Sequence, residues 1–185
     1  MLIPDNCAVV LVDAATSSSS RTALEMIVSR VQRLIEVANI IHVPIVLAHY
    51  PTSAAHGILS ARITLPAPPQ SFPLLPKPEA WSSTDLGKAI AATCRNQVVI
   101  AGFWLEEAVT LLTLNCLSVG FDTYVVGDAT AVIDFAQEQT ARSRLRQAGT
   151  VPTSTEQIIR EWVALLEDVT QAAYLIACVQ SRAQN

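Results

Sequence analysis

Short continuous runs of aliphatic residues recur along this chain, each followed by a segment with helical spacing, and that alternation restricts the fold more than any other feature. "CAVVLVD" (Cys7–Asp13) is apolar at every position until it ends in an acid, as a parallel strand covered on both faces would be. After a serine run suited to capping, Leu24, Ile27, Val28, Val31, Leu34, Ile35 and Ala38 fall at three- and four-residue intervals and predict an amphipathic helix. "VPIVLAHY" (Val43–Tyr50) is a second buried strand ending near a histidine. Further along come a capped helix in "STDLGKAIAATC", a strand in "QVVIA", and a helix apolar almost all round in "EEAVTLLTLNCLSV". A strand in "DTYVVGDA", a polar surface helix in "AQEQTARSRLRQAG", and a short strand and capped helix in "TVPTSTEQIIREWVALL" complete the series. Strands that alternate with helices form a parallel sheet with helices on both faces, so the expected architecture is three-layer α/β/α and doubly wound.

One stretch breaks the pattern. Between Tyr50 and Trp81 no periodicity survives, and Pro66, Pro68, Pro69, Pro73, Pro76 and Pro78 exclude regular helix there. A loop of that length inside a compact domain is usually functional or part of an interface.

At 185 residues the chain is expected to form one domain over residues 1–185, since two halves would each have a small core. It is 51% hydrophobic and only 15% charged, which predicts that another copy covers part of its surface: a homo-oligomer, dimer or larger. The net charge of −4 offers no basic stripe for nucleic acid. Apolar runs stop well short of the ~20 residues that cross a bilayer, and "MLIPDNCAVVLVDA" has neither a basic leader nor a cleavage site, so the expectation is a cytoplasmic protein with no membrane partner. Cys7, Cys94, Cys116 and Cys178 lack C-x-x-C spacing and read as small buried hydrophobes. His42, His49 and His56 lack ligand spacing, so neither a metal nor another cofactor is expected.

In an open sheet of this kind, ligands bind beyond the carboxyl ends of the strands. That rule selects Asp13, His49, the turn from Phe103 through Trp104, Leu105 and Glu106 to Ala108, and Asp128. Each has a plain structural alternative. Asp13 could cap backbone N–H groups, Glu106 and Glu107 suit the positive end of a helix, Trp104 could pack between subunits, and Asp128 could order the turn after its strand.

With those residues placed, the chain resembles the isochorismatase-like hydrolase (cysteine hydrolase) superfamily. The resemblance runs through the strand ending "LVD", then "EAWSSTDLGKAIAATCRNQVVIAG", "GFWLEEAVTLLTLNCLSVGFDTYVVGDA" and "TVPTSTEQIIREW". It implies a doubly wound, Rossmann-like sheet of about six strands, commonly in homo-oligomers. Amide-hydrolysing members use an Asp–Lys–Cys triad, which the resemblance sets at Asp13, Lys77 in "LPKPEAW", and Ala108 in "LEEAV". Alanine therefore stands where the nucleophile of the family's T-E-x-C-V motif would be, and Leu105 stands where its threonine would be. The remaining rim residues, His49, Phe103, Trp104, Leu105 and Glu106, would line a substrate site.

A thiolate at a helix N-terminus attacks a carbonyl carbon and forms a thioester while backbone N–H groups hold the oxyanion. A methyl group can do none of this. Cys116 cannot substitute, because eight residues of helix place it about 12 Å away. The resemblance also includes isochorismatases, which lack the cysteine and use the Asp as a general acid on a vinyl ether; Asp13 with Lys77 could act likewise. Two readings follow: a family member without the cysteine, either non-catalytic or a cysteine-independent hydrolase of a small molecule, or a ligand-binding or oligomeric scaffold on the same fold.

Overall fold

The computed structural model describes residues 1–14, 21–50, 57–65, 70–74 and 81–181. β1 (Cys7–Asp13) is buried at every position, as its unbroken apolar run requires. It lies between β2 (Ile45–His49) and β4 (Gln97–Gly102), with β3 (Ser71–Pro73) beyond β2 and β5 (Asp122–Thr130) and β6 (Val151–Thr153) beyond β4. All five pairings are parallel. The chain winds outward from β1 through β2 to β3, returns to β4 and winds outward again. Its order reverses between β1 and β4, and a doubly wound sheet opens a crevice at that point.

One face of the sheet is covered by α1 (Arg21–Ile40), α5 (Thr155–Val163) and α6 (Val169–Ser181). Leu34 and Ile35 of α1 and Trp162 of α5 are fully buried there with Val9 and Leu11. The other face is covered by α2 (Asp85–Ala92), α3 (Thr110–Ser118) and α4 (Phe135–Gln147), through Leu86, Ile90, Leu112 and Leu145 against Val10 and Val98. The three-layer, doubly wound reading therefore holds. Helix starts follow local chemistry: Thr84 accepts from the Gly87 N–H, Asp134 from Ala136 and Ser154 from Gln157, each side chain satisfying a backbone donor that the first turn leaves unpaired.

Several elements differ from expectation. The proline-rich stretch contains β3, whose last residue, Pro73, is tolerated because the strand is at the sheet edge. α6 carries no strong apolar period in the sequence and is not among the expected elements. The helix expected from Glu106 begins as a π-helical turn over Leu105–Val109 before α3 takes over at Thr110. Cys7 and Cys116 are buried as expected, but Cys94 is exposed, at a left-handed backbone position (φ 54°) after α2.

The β1–β4 seam depends on a glycine. Gly102 has φ +121°, and a Cβ there would stand 2.1 Å from the Val12 carbonyl oxygen. The Phe103 N–H donates to that same oxygen at 2.9 Å. Gly102→Ala is expected to lower the unfolding free energy by more than about 2 kcal/mol, because it adds backbone strain to a clash with main chain. Urea unfolding followed by circular dichroism would measure it, and a loss below about 0.5 kcal/mol would mean the seam relaxes freely.

Candidate functional site

The crevice at the reversal point is bordered by the last residue of β1, Asp13, and by the segment leaving β4. Asp13 is buried, and its carboxylate is engaged by main chain. The Leu59 N–H donates to Oδ1 at 2.8 Å and the Ser60 N–H to Oδ2 at 2.9 Å. The turn that supplies them is anchored again by the Ile58 N–H, which donates to the Ala14 carbonyl at 2.9 Å. Gly57 makes the approach feasible: a Cβ there would fall 2.1 Å from the carboxyl carbon. Asp13 thus ties the end of β1 to the turn over residues 57–62, the capping role that its position alone allowed.

On the β4 side, Phe103, Leu105 and Ala108 are fully buried and Trp104 is 4% exposed. The rings of Phe103 and Trp104 meet edge to face at 5.1 Å, and the peptide between the two residues is cis. Phe103 and Trp104 pack into the core under α1 and α5, whereas Leu105 and Ala108 pack into the opposite core with Leu112 and Cys116. Consecutive residues of the expected substrate-binding turn therefore feed two cores on opposite faces of the sheet. The π-turn is closed by backbone bonds from Leu105 N–H to Ala131 and from Val109 N–H to Trp104, and by the Thr110 hydroxyl donating to Leu105.

Glu106 does more than face a helix dipole. Its carboxylate accepts the N–H groups of Ile133 (3.0 Å) and Asp134 (2.9 Å), fixing the approach to α4. Asp128 differs from its expected role. It accepts the N–H and hydroxyl of Thr155 at 2.8 and 3.1 Å, so it caps α5 across the sheet edge rather than ordering the turn after β5, and Arg30 approaches its other oxygen at 3.7 Å. His49 is half-buried at the end of β2, with Nδ1 2.8 Å from the Ser71 hydroxyl, a pairing that depends on β3 and so was invisible in sequence. Lys77 and His56 lie outside the described residues. Among the described residues, no three His, Cys, Asp or Glu side chains converge as metal ligands would.

Cys7 and Cys116 offer no substitute nucleophile at this rim. Burial pushes the Cys116 thiol up to about 12 and the Cys7 thiol up to about 11, so both stay protonated near neutral pH. A further opening lies at this end of the sheet. It is a cavity of about 500 Å3 between the start of α1, Trp104 and the connection from β5 to α4.

Residues 7–157 match the isochorismatase domain family. The probable hydrolase YcaC of Escherichia coli strain K12 is 39% identical over 70 residues, covering 38% of this chain; the match spans only about a third, 34%, of that protein's length. The crystal structure of the Escherichia coli YcaC gene product, described as an octameric hydrolase of unknown specificity, superposes with a TM-score of 0.73 at 24% identity, covering 95% of this chain and 89% of that one. YcaC from Pseudomonas aeruginosa, solved with hexane-2,5-diol and covalent acrylamide, gives 0.73 at 21% identity over 95% of this chain and 90% of that one. At those identities the likeness establishes the six-stranded fold.

Two outcomes are expected from this geometry. Asp13→Ala and Gly57→Ala should each cost about 2–4 kcal/mol, because both break charge-assisted bonds to buried backbone donors. The double variant should cost little more than either, since both changes remove one contact. Additive losses in chemical denaturation would contradict a shared contact. Alkylation at about pH 8, mapped by peptide mass spectrometry, should label Cys94 in the folded protein and reach Cys7 and Cys116 only in denaturant. Fast labelling of Cys116 in the native state would reveal an activated thiol after all.

Proposed function

The chain belongs to the isochorismatase domain family, and from that premise we propose that it is a non-catalytic member, an oligomeric scaffold that keeps the hydrolase fold without the covalent chemistry. The observation that carries this reading is the Asp13 carboxylate, whose two oxygens are both turned to N–H donors of the turn over residues 57–62. A general acid or a base partner needs an oxygen turned to the substrate or to the nucleophile. Here each oxygen already accepts a backbone N–H of the turn, which favours a structural use of the carboxylate.

Ala108 supports the same conclusion. If it stands at the family's nucleophile position, the side chain there is a methyl group sealed among Leu105, Val109 and Leu112, with no electron pair for a carbonyl carbon. Phe103 and Leu105 are fully buried, one in each core, and so do not stand open to a substrate. The apolar composition supports a homo-oligomer, and the octamer described for the Escherichia coli YcaC structure is in keeping with it. Under this reading Lys77 is a loop lysine, and the long segment between Tyr50 and Trp81 serves assembly or ligand contact rather than turnover.

Ala108→Cys provides the test, assayed with activated esters and simple amides beside the unmodified protein. Neither protein is expected to exceed the buffer rate, because a thiol restored at 108 would still face an Asp13 held by Leu59 and Ser60. A gain of about 100-fold or more in the variant would mean that acid and lysine are still poised as a working pair, and the non-catalytic reading would fall.

A further inference from the structure

The described lining of the cavity beside Trp104 includes neither Asp13 nor the residues that bind its carboxylate. Leu24, Met26 and Ile27 of α1 form one wall, Trp104 and Ala131 the floor, and Ile133 with Phe135 the opposite wall. Its rim carries an apolar surface that folding leaves in water: Phe135 is 77% exposed, Met26 61% and Ile133 40%. Phe135 is the first residue of an otherwise polar helix, where nothing within the chain calls for an aromatic ring.

The backbone that presents this ring is firmly held. Glu106 takes the N–H groups of Ile133 and Asp134, and Asp134 takes that of Ala136, so carboxylates fix the residues on both sides of Phe135. A rigid, protruding ring loses little entropy on docking, as interface anchors require. Charges around the cavity balance. Glu138 pairs with Arg142 at 2.8 Å, and Asp128 stands 3.7 Å from Arg30. Those ion pairs are closed within the protomer, so that surface attracts neither an anionic polymer nor a charged membrane, and a second copy would present the same balanced, apolar patch to it.

A knob and a hole on the same surface fit a twofold contact, in which each patch meets its own copy. We propose that a second copy of this chain covers this face, with Phe135 of each protomer seated in its partner's cavity against Trp104, so that each cavity is completed by a residue of the other subunit. This rests on the homo-oligomer reading above and assigns its surface.

The test is the particle mass of the full chain by light scattering across a dilution series, for the unmodified protein, Phe135→Asp and Ala23→Trp. Phe135 supports no core, so its variant should keep the helical circular dichroism; Ala23→Trp fills the hole and leaves the knob intact. Both variants are expected to raise the concentration at which the particle dissociates by about 100-fold or more, since a twofold contact loses its anchor twice. An unmodified chain that scatters as a single 19.9 kDa protomer would end the oligomer reading and this inference together. An oligomer whose mass survives either substitution would end this inference alone. If 8-anilinonaphthalene-1-sulfonate binds the unmodified protein and Ala23→Trp abolishes that binding without a change of mass, the cavity belongs to a small apolar ligand and the twofold contact is overturned.

Discussion

Burial of β1 on both faces is the constraint from which the rest of the structure follows. A central parallel strand has no side open to water, so every side chain must be apolar and every backbone group must be paired within the sheet. Cys7–Val12 meet the first demand, and parallel ladders to β2 and β4 meet the second. The strand can end only where a polar residue finds partners. Asp13 does so by drawing in the N–H groups of Leu59 and Ser60, and the absence of a side chain at Gly57 lets the turn come close enough. On the opposite flank Gly102 performs the equivalent service for β4, where Val12 and Phe103 share a hydrogen bond across the seam.

What the sequence made legible follows from the range of each interaction. Buried strands show as unbroken aliphatic runs and amphipathic helices as a period near 3.6, both properties of contiguous residues, so β1, β2, β4, β5 and most of α1 to α5 could be read directly. β3 could not, because Ser71–Pro73 has no strand composition and is extended only through its ladder to Leu47, Ala48 and His49. α6 escaped for a related reason. Most of its face looks outward, and Leu175 is its only fully buried apolar side chain among the described residues.

Asp13 and His49 do end their strands, whereas Asp128 lies within β5 and Glu106 in the π-turn, and the partners of the carboxylates are long-range. Asp13 reaches turn amides 46 and 47 positions away, Glu106 reaches amides 27 and 28 away, and Asp128 reaches a helix start 27 away. No local pattern announces such pairings. In all three cases a carboxylate selected as a candidate for chemistry is engaged with backbone N–H donors. At strand ends and helix starts those donors are the unpaired groups that folding must satisfy, so position alone cannot distinguish a cap from a catalyst.

If the chain is non-catalytic, as proposed, the same principle explains how a hydrolase fold would outlast its reaction. A catalytic crevice requires polar groups left underused and aimed at a substrate, which costs stability, whereas a carboxylate given to a turn and a methyl group given to a core each return some of it. In the proposed reading, loss of a thiol at Ala108 removes the reason to keep Asp13 exposed, and the turn over residues 57–62 is then free to claim it. Selection would act instead on surfaces that join copies, and there the chain still leaves apolar area in water: Met26, Ile133 and Phe135 stand exposed around a cavity whose floor is Trp104. The tryptophan that begins the turn toward Ala108 also floors that cavity. On the proposed readings, closing the crevice and assembling the oligomer would be coupled through one residue: its backbone carbonyl closes the π-turn, and its ring lines the cavity that a neighbouring copy would enter.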